Sequence, residues 1–281
     1  NSRNSYLIKN TMIFTLGNLG SKLISFFLIP LYTNALTTTE YGVVDLIATV
    51  GTVAVPVLTL NICESVMRFA LDKDANKDKI TQIGTNLLLI GMVVGLVIFP
   101  ICHSFNRISQ YSAFVYFYVI SLAASQLYLC DLRGKELLVY YSIGNVLHTF
   151  FIAALNILFL VVFKGGIEGY LNAYIIANIL TATYALIMGK GYRSFSFSGV
   201  DKKLLQRMIK YSIVLIPNSF MWWIMNSSDR VMVSSMVGIA ANGIYAVSYK
   251  LPTLVSTLTT IFNQAWSYSA IREEGTEDEN E

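Results

Sequence analysis

Apolar residues gather into eight long stretches, roughly 10–32, 43–69, 81–105, 112–131, 137–163, 171–189, 211–236 and 244–270, separated by short polar connections. Crossing the hydrocarbon of a bilayer takes roughly 20 helical residues, so each stretch predicts one spanning helix. The expected fold class is all-α, a polytopic membrane helix bundle of about eight transmembrane helices. The longest internal connection, 190–210, falls after the sixth stretch and reads as a lobe boundary. Sliding the chain by 201 residues without gaps lays Lys9 on Lys210, Gly42 on Gly243 and the first two stretches on the seventh and eighth. Aligned boundaries of this kind suggest a repeat. Because six is even, the second unit starts on the same face as the first, which predicts a parallel repeat about an axis along the membrane normal. The expected organisation is a six-helix lobe over 1–195 and the first two helices of a second lobe over 196–281. An acidic run follows Ile271, and the expectation is a truncated chain lacking about four spans.

Composition agrees with the pattern: 54% of residues are hydrophobic and 13% charged, against roughly 25% charged in soluble domains. The first apolar run is too long for a signal-peptide core and has no clear cleavage site, so it is expected to remain. Fourteen of the 20 basic residues fall on one side of the predicted spans, among them Arg3, Lys9, Lys73, Lys203 and Arg272, whereas Arg107 and Lys164 fall on the other. Loops rich in Lys and Arg stay in the cytoplasm, which predicts a cytoplasmic N terminus. Cys63, Cys102 and Cys130 lie in or beside apolar runs without metal spacing, and read as small core residues.

The seventh stretch carries Asn218, Asn226, Asp229 and Arg230 within apolar sequence. Ionised side chains in a membrane face a bundle interior or a wet cavity, so this helix is expected to form a cavity wall. Asn218, Trp222, Asn226 and Asp229 or Arg230 recur at helical spacing and share a face, and Pro217 should bend the helix. In the first stretch Thr11, Thr15, Asn18, Lys22 and Ser25 form one polar stripe around Lys22. The second has Asp45, Thr49, Thr52, Pro56 and Thr59 along one side, with Glu64 and Arg68 spaced to pair. Lys250, beside Pro252, is the counterpart of Lys22. Gly91 and Gly95 have the spacing of a close helix contact, and His148 reads as a hydrogen-bonded buried imidazole. The Asn226-Ser227-Ser228 sequon is discarded as intramembrane. Most Tyr and Phe are expected to pack or to belt the interface, with Trp222, Trp223 and Trp266 better placed to meet a sugar. No catalytic, cofactor or metal-binding motif appears, and nucleic acid is not an expected partner.

Ile216-Pro-Asn-Ser-Phe-Met-Trp-Trp-Ile-Met-Asn-Ser-Ser-Asp-Arg230 and Gly238-Ile-Ala-Ala-Asn-Gly-Ile-Tyr-Ala-Val-Ser-Tyr-Lys-Leu-Pro252, with Tyr41-Gly42 and Glu64-Ser-Val-Met-Arg-Phe69, resemble bacterial oligosaccharide flippases of surface-polysaccharide synthesis, within the multidrug, oligosaccharidyl-lipid and polysaccharide exporter superfamily. The resemblance implies two six-helix lobes around a cavity open alternately to each side of the bacterial plasma (inner) membrane. It also implies a polyprenyl-diphosphate-linked oligosaccharide as substrate, for O-antigen, capsule or exopolysaccharide, and polysaccharide polymerase machinery and membrane lipids as partners. On that reading Lys22, Arg230 and Lys250, then Arg68, meet the diphosphate through charge-assisted hydrogen bonds. Asn18, Asn218, Asn226 and Asn242 meet sugar hydroxyls, and Pro30, Pro217 and Pro252 are hinges. The alternatives are a cation-coupled multidrug exporter of the same superfamily, a membrane polymerase or ligase of lipid-linked sugars, and a non-transporting scaffold.

Overall fold

A computed structural model describes residues 24, 26–72, 74–103, 109–196, 199–250, 252, 253, 255, 256 and 259, with backbone alone for 98–103 and 109. Asn18, Lys22, Lys73, Arg107 and Trp266, and the side chain of Cys102, lie outside the described residues. The described chain is helical: α1 (Phe26–Ala35), α2 (Thr38–Leu58), α3 (Ile62–Ala70), α4 (Lys77–His103), α5 (Ser112–Gly134), α6 (Leu138–Asn156), α7 (Gly166–Met188), α8 (Lys202–Met236) and α9 (Ile239–Ser248). Among the described residues, five helices are long and apolar enough to cross a membrane: α2, α4, α5, α6 with its extension through Val162, and α7. The chain is a multi-pass membrane protein. Val93, Val97, Phe117, Val162 and Val214 point outwards, as expected where lipid is the solvent.

The stretch 43–69, predicted as one span, is two helices. Pro56 sits in the last turn of α2 and supplies no N–H. Leu60 and Asn61 then turn left-handed, with φ of 52° and 53°. The Asn61 N–H closes back onto the Pro56 carbonyl at 2.7 Å, the long bond of a helix-terminating loop. After this break α3 buries Ile62, Val66 and Ala70 and exposes Glu64 and Arg68. Arg68 pairs with Asp72 at 2.6 Å, not with Glu64. Thr37 and Glu40 start α2 with a reciprocal capping box, the Thr37 N–H donating to the Glu40 carboxylate at 2.8 Å.

Helix α8, which carries the seventh apolar stretch, begins nine residues earlier than that run, because the Asp201 carboxylate caps it by accepting from the Lys203 and Leu204 N–H groups at 3.1 Å. Its 35 residues extend about 52 Å, longer than a bilayer core of roughly 30 Å, but α8, expected as the seventh span, is not among the five helices apolar enough to cross. The predicted lobe boundary is docked, since the Ser196 carbonyl accepts from Gln82 and Asn86 of α4 at 2.8 and 3.1 Å.

Near the basic start of α8, Asp131 and Lys135 form a buried pair at 2.7 Å. Thr81 donates to Asp131, and Lys135 also donates to the Gly189 carbonyl at 2.8 Å. These bonds tie α4, α5 and the end of α7 together. At the expected small-residue contact, a Cβ on Gly91 would lie 2.6 Å from the Leu58 carbonyl oxygen, so α4 runs close against the end of α2. His148 donates to or accepts from the Asn178 side chain at 2.9 Å, as a packed imidazole would.

Candidate functional site

Helices α2 and α9 cross at their N-terminal ends, and glycine makes the crossing possible. A Cβ on Gly42 would overlap the carbonyl oxygen of Ile239, and a Cβ on Gly243 would overlap that of Thr38. The contact is reciprocal, because Thr38 and Gly42 become Ile239 and Gly243 on adding 201 residues. Each glycine thus meets the helix start of the other, the form of a contact about a two-fold axis.

Polar groups collect just inside this crossing. Asp45 follows Gly42 by three residues on α2, and its carboxylate accepts from Arg230 of α8 at 2.7 Å and from the Asn242 side chain of α9 at 3.4 Å. Asn242 also donates to the Gly42 carbonyl at 3.2 Å. Side-chain exposure is 18% for Arg230 and 8% for Asp45, so this ion pair is largely sheltered from water. The Arg230 guanidinium lies 5.3 Å from the centre of the Tyr249 ring, a cation–π arrangement. Asp229 accepts from Tyr245 and from the Arg230 backbone N–H. Trp223 of α8 donates to the Thr49 carbonyl at 3.0 Å, a further tie to α2. Among the described residues, Arg230 Nε, Thr49 Oγ1 and Asn242 Oδ1 are buried without a hydrogen-bond partner. Buried polar atoms of this kind mark places where a structure has bonding capacity in reserve.

Two cavities adjoin the ion pair. The smaller, about 130 Å³, is lined by Asp45, Arg230 and Lys250 together with Tyr41, Tyr118, Tyr170 and Tyr174. The larger, about 510 Å³, is lined by Thr49, Thr52, Asn226, Arg230, Tyr249, Lys250, Pro252 and Ser256, among others. Arg230 and Lys250 line both. Two cations, Arg230 and Lys250, and one carboxylate, Asp45, line the smaller cavity, with the Asp229 carboxylate beside Arg230.

Of the residues singled out from sequence, Arg230, Lys250, Asn226 and Asn242 converge here, with Pro252 on the cavity wall. Asn218 and Trp222 are exposed, and Asn226 turns back to the Trp222 carbonyl; it is Trp223 that meets α2. Arg68 lies elsewhere, exposed beside Asp72. Pro30 lines a separate cavity with Glu40 and Lys164, and Pro217 lies within α8. Asp45 has no role in the sequence pattern beyond its place on the polar side of the second stretch, and the tyrosines are expected there to pack or to belt the interface. The signal for Asp45 was available: an acid within a span seeks a cation within another.

The chain matches the family described as "Polysaccharide biosynthesis protein" over residues 7–268. It belongs to that family of polysaccharide biosynthesis proteins. Among solved structures, a MATE in complex with MaD5 superposes with a TM-score of 0.57 at 14% identity, over 94% of this chain and 71% of that one. The chain therefore shares its helical fold. A MOP superfamily transporter from Pyrococcus furiosus aligns over 94% of this chain and 67% of its own, with a TM-score of 0.49 and 15% identity. No curated protein matches the chain.

Proposed function

We propose that the protein is a flippase carrying polyprenyl-diphosphate-linked oligosaccharides across the bacterial plasma membrane. The observation that carries this reading is the pair of cations, Arg230 and Lys250, on the wall shared by two adjoining cavities. A diphosphate crossing hydrocarbon must exchange its hydration shell for other donors. A guanidinium and an ammonium provide charge-assisted bonds that replace it. Membership of the polysaccharide biosynthesis family supports a sugar-bearing cargo. Tyrosines and Asn226 supply apolar faces and hydrogen-bonding groups for sugar rings. Lys22, on the predicted stripe of the first span, is a third cation for the same purpose, with Asn18 beside it. The lipid tail remains in the bilayer while the head passes between lobes that rock about it.

In this reading the end bearing Lys77, Arg133, Lys190 and Lys203 faces the cytoplasm, and the α2–α9 crossing closes the outer side. One observation favours a second reading: Asp45 brings a carboxylate to the cavity, the feature a cation-coupled drug exporter needs. Vesicles reconstituted with the intact protein distinguish the two. Translocation of a labelled lipid-linked oligosaccharide, lost in Arg230→Gln and Lys250→Gln, is the expected result. Efflux of a cationic dye without lipid translocation would overturn it.

A further inference from the structure

At the basic end of the bundle, the last turn of α3, the start of α4 and the start of α8 enclose a cleft of about 600 Å³. Phe69, Asp72, Asp74, Lys79, Lys203 and Arg207 are among its lining residues. It lies away from the cavities around Arg230, because Arg207 and Arg230 are 23 residues apart on one helix, or about 35 Å. Charge in the cleft is laid out in two walls. Asp72 and Asp74 belong to the connection between α3 and α4, whereas Lys203 and Arg207 stand on the first two turns of α8, with Lys79 on the first turn of α4. The third acid of the lining, Asp201, is engaged in capping α8, where Lys79 and Lys203 also act on its carboxylate. Asn76 caps α4 by accepting from the Lys79 N–H at 3.1 Å. Arg68 holds Asp72 at 2.6 Å, and Asp74 is in no ion pair among the described residues. Three acids and three bases line the cleft, so a ligand bearing both charges matches it better than a simple anion or cation.

The surface beside the cleft points to a lipid. Lys203, Arg207, Tyr211 and Val214 follow at steps of four, four and three and share one face of α8. Tyr211 and Val214 are exposed, as is Leu71 at the end of α3. Charge thus gives way to an aromatic hydroxyl and then to bare apolar surface within about 10 Å of Arg207, the order in which a bilayer passes from headgroups to chains.

We propose that this cleft binds the headgroup of an ethanolamine phospholipid, its phosphate on Lys203 and Arg207 and its ammonium on Asp74 and Asp72. Carboxylates need N–H donors, which a primary ammonium has and a choline headgroup lacks. A quaternary ammonium is held instead by a cage of aromatic faces. Among the described residues of the lining the one ring is Phe69, and the Arg207 guanidinium already lies 5.3 Å from its centre. A headgroup joining the two walls ties the α3–α4 connection to α8, beside the bond from the Ser65 hydroxyl to the Met208 carbonyl at 3.1 Å. The site is independent of what the cavities around Arg230 carry.

The intact protein in detergent is titrated with dioleoyl phosphatidylethanolamine, phosphatidylcholine or phosphatidylglycerol, and bound lipid is counted by native mass spectrometry. The ethanolamine lipid is expected to bind about tenfold more tightly than the choline lipid, the worth of a charge-assisted hydrogen bond, and more tightly than the glycerol lipid. Asp74→Asn should bring it down to the level of the choline lipid, and Lys203→Gln with Arg207→Gln should weaken all three. Equal binding of the ethanolamine and choline lipids overturns the ammonium contact, and tighter binding of the glycerol lipid overturns the zwitterion. These two comparisons use the unsubstituted protein, so they decide even where a variant does not fold. A folded Asp74→Asn that keeps the preference overturns the placement, as does loss of the preference in Arg230→Gln. Competition by soluble phosphoethanolamine as strong as that by the lipid overturns the lipid as the source of the headgroup.

Discussion

Arg230 and Asp45 are each adapted to the other, and this sets what single changes do. Arg230→Ala strands a carboxylate that is 8% exposed, and breaking one side of a buried pair costs about 3–5 kcal/mol. The double change Asp45→Asn with Arg230→Gln removes both charges and is expected to recover most of that loss in thermal melts, while transport stays abolished. Lys250→Gln removes a cation from both cavities and should abolish transport of the lipid-linked oligosaccharide in vesicles. Arg230, Lys250, Asn226 and Asn242 were legible in the sequence because a polar residue in an apolar run has to be accounted for. The tyrosines were not, because an aromatic ring suits a lipid interface, a core or a cavity wall equally well. Arg68 misled for a related reason: helical spacing made Glu64 and Asp72 equally reachable, and the chain chose Asp72, beyond the residues that invite the pairing.

Helices show the same division between what spacing reveals and what it hides. The five helices long and apolar enough to span could be read from the apolar runs, while the break at Leu60 and Asn61 could not, since their left-handed turn depends on backbone geometry rather than hydropathy. The start of α8 was hidden by basic, polar residues that are helical only because Asp201 caps them. Its carboxyl lies below the usual range, chiefly through the Leu204 N–H and then that of Lys203. A lowered folded value means the cap is fully effective above about pH 4 and weakens as pH falls through the folded value. Asp201→Asn keeps an acceptor oxygen and should hold this turn, whereas Asp201→Ala should speed hydrogen exchange at Lys203 and Leu204 relative to Ile209. At the crossing, Gly42→Ala and Gly243→Ala each force backbone apart, with a destabilisation of about 1–3 kcal/mol. Because the contact is reciprocal, the two should have similar effects on melting.

The protein as a whole is a membrane bundle in which α4, α5 and α7 are bolted at the basic end and α2, α8 and α9 meet at the other. The bolt is the buried Asp131–Lys135 pair with its bonds to Thr81 and Gly189. Lys135→Met should therefore destabilise by about 3–5 kcal/mol, read in thermal melts, without changing affinity for a diphosphate. The distribution of basic residues predicts the sidedness: cysteine at Lys203 is expected to label from the cytoplasm and cysteine at Lys164 from outside, with the opposite pattern reversing the assignment. The 201-residue offset was visible as a handful of coincident letters, and its spatial counterpart is the paired glycine contact.

That paired contact restricts motion. Where each helix start rests in the notch of its neighbour, as two cogs mesh, one cannot roll without turning the other. Separation at this point should be a concerted step, giving a single relaxation rate whether a spectroscopic label is attached to α2 or to α9.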